Sequence, residues 1–232
     1  MNASARRTAL LATTGFAVIL GVACGGGARL SSTTDLKMQV HFDQAAALQE
    51  AMINGDLTSA REAALVLVAA PSMSDFGPDG EEYAKELSSH AGMIRDARTY
   101  GEAAVATGLL AATCGDCHAA MGGGPMFSSN LPPEDRGFTG HMIAYRWAAD
   151  RMWEGLLSNS TDRWLSGVDV FATIDPLEGG GGLSAASDDF STRLHELAAQ
   201  ARDVGNPQAR GHLYGQLLRQ CSGCHAENGL LF

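Results

Sequence analysis

The chain has 232 residues, enough for one large or two small domains and a substantial core, so a disulfide-stapled mini-protein is excluded. Hydrophobic residues make up 45% and charged residues 18%, a globular rather than a disordered composition. Acidic side chains outnumber basic ones 26 to 16, and a net charge of −10 repels a phosphate backbone, which sets nucleic acid aside as a partner.

At the N-terminus Arg6 and Arg7 precede an uncharged stretch from Thr8 to Ala23, and Cys24 follows with Gly25, Gly26 and Gly27 behind it. A charged start, a short apolar run and small residues at its exit describe a secretory signal. The run is shorter than the roughly 20 residues of a spanning helix. Val22-Ala23-Cys24 resembles the lipobox of bacterial lipoproteins, with Gly21 where that pattern prefers Leu. The resemblance implies removal of residues 1–23, a lipid on Cys24, and a tether over 24–34 that holds the protein to the periplasmic side of a bacterial membrane. An ordinary signal peptide or an uncleaved anchor, with Cys24 incidental, is the alternative; every version exports the chain.

Beyond the tether, apolar residues recur at intervals of three and four, which predicts an all-α protein. Met38, His41, Ala45, Leu48 and Met52 mark a first helix ending near Asn54-Gly55. Ser59 and Glu62 have capping-box spacing ahead of a second, running to about Ala70. Pro71, Pro78 and Gly80 read as breakers before a third helix through Tyr83, Leu87, His90, Ile94 and Ala97; a fourth spans Glu102 to Met121. The Gly- and Pro-containing segment 122–140 reads as a linker. Four more helices follow: Met142 to Leu156, Trp164 to Phe171, Phe190 to Val204 and Gln208 to Glu227, with a flexible loop at Gly179 to Gly182.

The remaining four cysteines fall in two identical patterns, Cys114-Gly-Asp-Cys117-His118 and Cys221-Ser-Gly-Cys224-His225. Cys-x-x-Cys-His is the attachment signature of c-type haem: two thiols on one helical turn form thioethers to the porphyrin vinyl groups, and the next imidazole reaches the iron. A shared four-thiolate zinc site, a thioredoxin-like redox pair and structural disulfides use such cysteines too, but none of them requires the histidines. The expectation is two covalently bound haem c, with His118 and His225 as proximal ligands.

Residues 83–119 superpose without a gap on 190–226, pairing Leu87 with Leu194, Ala91 with Ala198, Arg95-Asp96 with Arg202-Asp203 and Gly108 with Gly215. Such self-similarity points to duplication. The expected organisation is therefore one haem domain at 35–121 and a second at 141–232, each a four-helix bundle.

A four-helix half with its haem motif at the end of the last helix resembles the cytochrome c-prime family, once in each half. Class I cytochromes c carry the motif near the N-terminus, and only seven residues follow His225. Family members with a Met near the start of helix one are six-coordinate, so the resemblance implies distal ligands Met38 and Met142, paired at an offset of 104. An offset of 100 pairs His41 with His141 instead and implies bis-histidine haems. The first offset preserves the whole apolar stripe except at His41. His90 lies on an inward stripe opposite Leu197 in the repeat; His195 and His212 lie off the stripes and are expected to face solvent. Trp147, Trp153 and Trp164 occur in the second half alone; core packing is their default reading and haem contact the alternative.

These features imply an electron-transfer protein rather than an enzyme: an exported dihaem one-electron carrier or relay. Its acidic body favours redox partner proteins with basic docking surfaces. The alternative is a haem-based gas sensor or a haem enzyme, such as a peroxidase, with an open iron position.

Overall fold

Stripes with a period of three and four become helices wherever one face can be buried. The computed structural model describes residues 32–69, 77–133, 137–174 and 186–230, and among these it holds eight helices and no strand. They are α1 (Ser32–Ile53), α2 (Leu57–Ala69), α3 (Gly77–Asp96), α4 (Tyr100–Met121), α5 (Gly137–Leu157), α6 (Thr161–Thr173), α7 (Ala186–Ala201) and α8 (Pro207–Asn228). The protein is all-α. The signal at 1–23, Cys24, most of the tether and the Gly179–Gly182 loop lie outside the described residues. Among the described residues, no helix is long and apolar enough to cross a membrane.

Helix ends differ from the sequence expectations for local reasons. Asp56, not Ser59, starts α2: its carboxylate accepts from the Ser59 amide at 3.0 Å. Pro78 and Gly80 do not break the chain but lie in the first turn of α3, where an amide has no helical partner to lose. The capping box belongs to α4, with Glu102 N donating to Thr99 Oγ1 and Thr99 N donating to Glu102 Oε2, each at 3.2 Å. α1 begins at Ser32, inside the expected tether, and α5 at Gly137, inside the expected linker. α7 stops at Ala201, before Val204.

Neighbouring helices pack in succession, α1 on α2, α2 on α3 and α3 on α4, and the same holds from α5 to α8. The broadest contact joins the halves, where α4 lies against α8. Small residues permit it: a Cβ at Gly108 would lie 2.0 Å from the Gly211 carbonyl oxygen, and one at Gly215 would lie 2.5 Å from Val105 Cα. Residue numbers rise on one helix as they fall on the other, so the pair is antiparallel. Segment 122–140 therefore does not divide the interior. One cluster of buried side chains runs through both halves, including Leu48, Met52 and Leu110 from the first and Met152, Trp164 and Leu217 from the second. The described residues from Ser32 to Leu230 belong to one compact unit.

Candidate cofactor-attachment sites

The antiparallel pair sends the two Cys-x-x-Cys-His motifs to opposite ends. Matching Gly108 to Gly211 sets Cys117 and Cys224 some twenty residues apart along the axis, about 30 Å at 1.5 Å per residue. Thiolates that share a zinc ion each lie within about 2.3 Å of it, so the two motifs do not form one four-thiolate site. Among the described residues, no three His, Cys, Asp or Glu side chains converge on a metal-ion site.

Within each motif the helix continues unbroken, and residues three and four apart share a face. Each helix ends four residues after its histidine at a left-handed glycine, Gly122 with φ 67° and Gly229 with φ 64°. The amide of Gly122 donates to the His118 carbonyl, and that of Gly229 to the His225 carbonyl.

Cys221, Cys224 and His225 line a cavity of about 350 Å³, closed by α5 and α7 from the same half and by the last turn of α1 from the other. Met142 faces this cavity, as do Ile53 and Phe190. His141 is not among its lining residues; its Nδ1 lies 3.0 Å from the Gly137 carbonyl, and its ring stands edge-on to Tyr145. At the other end Met38 and His41 are half-buried on α1. Burial pushes the His41 imidazole down from its ordinary value and favours its neutral form.

Burial and the neighbouring cysteine push the Cys114 and Cys221 thiols up to about 12. Cys117 is raised by burial as well. A redox pair of the thioredoxin kind needs a lowered thiol, so this environment is the reverse of what that chemistry requires. Among the described residues no disulfide joins Cys114, Cys117, Cys221 and Cys224.

Each motif histidine meets the last turn of a helix from the other half. His118 Nδ1 lies 2.7 Å from the carbonyl oxygen of Leu157, the last residue of α5. A carbonyl only accepts, so Nδ1 carries the proton and Nε2 is left as the donor atom for a metal. Burial pushes the His225 imidazole down, and Ile53, the last residue of α1, lines the same cavity. The junctions match in detail: Ser222 Oγ donates to the Met52 carbonyl, while at the equivalent place Gly115 leaves room for the Leu156 carbonyl, 1.9 Å from where a Cβ would stand.

Charge is arranged differently at the two junctions. Arg146 reaches Glu50 at 2.5 Å and Asp150 at 3.0 Å, and its hydrogen bond holds the Glu50 carboxyl below its ordinary range. Glu154, four residues past Asp150, pairs instead with both Arg151 and Arg163. Those two arginines also tie down the chain after α4, where Arg151 Nη1 donates to the Ser128 carbonyl at 3.0 Å and Arg163 stacks on Phe127. The tied segment crosses His118, with a Cβ at Gly124 falling 3.0 Å from the histidine Cβ. The sequence reading passed over Ile53, Leu157 and these pairs. The offset of 104 already aligned Ile53 with Leu157 and Glu50 with Glu154, which is the signal that could have found them.

The remaining singled-out residues fall as follows. His195 is not turned to solvent: its Nε2 lies 2.7 Å from the Ile174 carbonyl and its ring meets Tyr145 edge-on, because α7 turns that side toward the end of α6. His212 is exposed beside Gln216, and His90 Nε2 lies 3.6 Å from Glu86 Oε1. Trp153 and Trp164 are buried, Trp164 donating to the Ala201 carbonyl at 2.9 Å, and Trp147 lies under Arg151. No protein-family model, curated protein or solved structure matches the chain.

Proposed function

We propose that this chain is an exported dihaem c-type cytochrome, a one-electron carrier or relay tethered to the membrane by a lipid on Cys24. Its two haem-bearing halves are four-helix bundles derived by duplication. The observation that carries the reading is the cavity beside α8, where Cys221, Cys224 and His225 open together on about 350 Å³ of mainly apolar space with Met142 among its walls. Two thiols at that spacing suit thioether formation, and the imidazole beside them offers Nε2 to an iron. Duplication is supported by the matched helix ends: α1 and α5 stop at Ile53 and Leu157, and α4 and α8 at equivalent left-handed glycines.

The protein's own residues divide the work. Cys114 and Cys117 hold one haem, Cys221 and Cys224 the other. His118 and His225 are the proximal ligands, and Met38 and Met142 complete the coordination on the distal side, in preference to His41 and His141. When bound, the haems supply one-electron exchange between ferric and ferrous iron. The helices around them exclude water and keep the axial groups in place. Acidic side chains outside the sites favour basic redox partners, with docking rates that fall as salt rises.

Reduced spectra of the purified holoprotein with and without carbon monoxide test this reading. Two six-coordinate haems that bind the gas slowly are expected, with a ferric near-infrared band from thioether ligation. Rapid binding at both irons contradicts the carrier and favours a gas sensor or haem enzyme.

A further inference from the structure

At both ends of the α4–α8 pair the motif histidine is met by a first helix from the wrong half. α5 belongs with α6 to α8 in chain order, yet its last carbonyl receives the His118 proton at 2.7 Å. α1 belongs with α2 to α4, yet Ile53 and Asn54 line the cavity that holds His225. Gly55, directly after that turn, lies so close to α8 that a Cβ there would stand 2.8 Å from the Ser222 carbonyl oxygen.

The register repeats as well as the partner. Met52 and Leu156 each touch the residue after the first cysteine of the opposite motif, and Ile53 and Leu157 follow them toward the histidine. A left-handed residue then turns the chain away, Gly55 with φ 71° and Asn159 with φ 49°. In an antiparallel pair each motif end has two open flanks, one covered by its own half and one available to the other. Chain crossing of this kind follows from closing α4 on α8 through bare glycines.

We propose that the second half orients and tunes the proximal histidine of the first, the Leu157 carbonyl acting on His118 Nδ1. This inference rests on the haem reading above. An acceptor on Nδ1 fixes the tautomer and raises the basicity of Nε2. A more basic proximal nitrogen favours ferric iron, so the contact lowers the reduction potential of the haem it serves. The potential of the first haem is therefore set from across the interface.

Proline placed just after each carbonyl gives the sharpest test. It disfavours helical backbone in the residue before it and so turns that carbonyl away. In the holoprotein, Ser158→Pro, a change in the second half, is expected to raise the midpoint potential of the first haem and leave the second unmoved. Asn54→Pro, at the equivalent place in the first half, is expected to leave the first haem unmoved. The double variant Cys114→Ala/Cys117→Ala, which retains the second haem alone, assigns the two waves. The milder Asn159→Ala, which disturbs the turn rather than the helix, must shift the same haem if the proline prevents folding. For Ser158→Pro and Asn159→Ala, shifts confined to the second haem, equal shifts at both, or none overturn the inference while the dihaem reading stands. Wild-type protein without covalent haem overturns both.

Discussion

His118 and His225 each stand four residues before a left-handed glycine, each beside the last turn of a borrowed helix, yet their surroundings differ. Around His118 a segment tied by Arg151 and Arg163 crosses the histidine, and buried Trp164 packs on Gly155 of α5, the helix whose last carbonyl meets His118. Around His225 the space is a cavity, and the position equivalent to Trp164 is Ala60. What is shared is the backbone that presents two thiols and an imidazole; what differs is the filling around it. On the proposed haem reading, the two ends keep one attachment geometry and differ in the polarity, cover and bulk near the cofactor, the quantities that set a haem potential.

The largest effect should come from erasing that difference in bulk. Trp164 is fully buried, donates to the Ala201 carbonyl and lies under the Arg210 guanidinium. Trp164→Ala is expected to cost about 3–5 kcal/mol in chemical denaturation. On the proposed haem reading the perturbation should fall on the haem at His118, because Trp164 packs on Gly155 of α5, whose last carbonyl accepts from that histidine. A spectral change confined to the second haem would break the contrast.

The shared element between the ends is the glycine crossing, and a methyl group there should be felt at both. Gly108→Ala places a carbon against the Gly211 carbonyl and is expected to destabilise by about 1–3 kcal/mol. Gly92→Ala, in a helix interior with no heavy atom within 4 Å of its Cβ position, is the control and should stabilise by about 0.4–1 kcal/mol. Equal responses would mean that α4 and α8 are not in close contact.

The smallest effect concerns charge. The hydrogen bond from Arg146 holds the Glu50 carboxyl below its ordinary 4.5, so the ionised form favours the folded state. That contribution is complete above the ordinary value and disappears as pH falls through the lowered one. Glu50→Gln should therefore narrow the difference in stability between neutral and acid solution, with little change in acid. An unaltered pH profile would remove the Glu50–Arg146 pair from the description of the His225 end.

Much of this was legible before any coordinates, and the rest was hidden for identifiable reasons. Helices announce themselves through local periodicity, so α1 to α8 follow from stripes such as Met38–Met52 and Phe190–Ala201. The motifs are local too, since three residues on one turn need no tertiary information. Ends were less legible because they depend on single hydrogen bonds: Asp56 took the cap from Ser59, and Pro78 joined a helix it was expected to precede. Least legible was the crossing of α4 and α8. Gly108 and Gly215 were visible as a repeated pair, but a glycine in a helix does not say which distant backbone it admits. Without that contact, nothing in the sequence linked Leu157 to His118.

Direct counting of covalent haem tests the central claim. The full chain, produced in an export-competent host with a cytochrome c maturation system, should carry two haems by intact mass and alkaline pyridine spectrum. The Cys114→Ala/Cys117→Ala variant should carry one, and so should Cys221→Ala/Cys224→Ala. Wild-type protein that matures in that host without covalent haem would contradict the account.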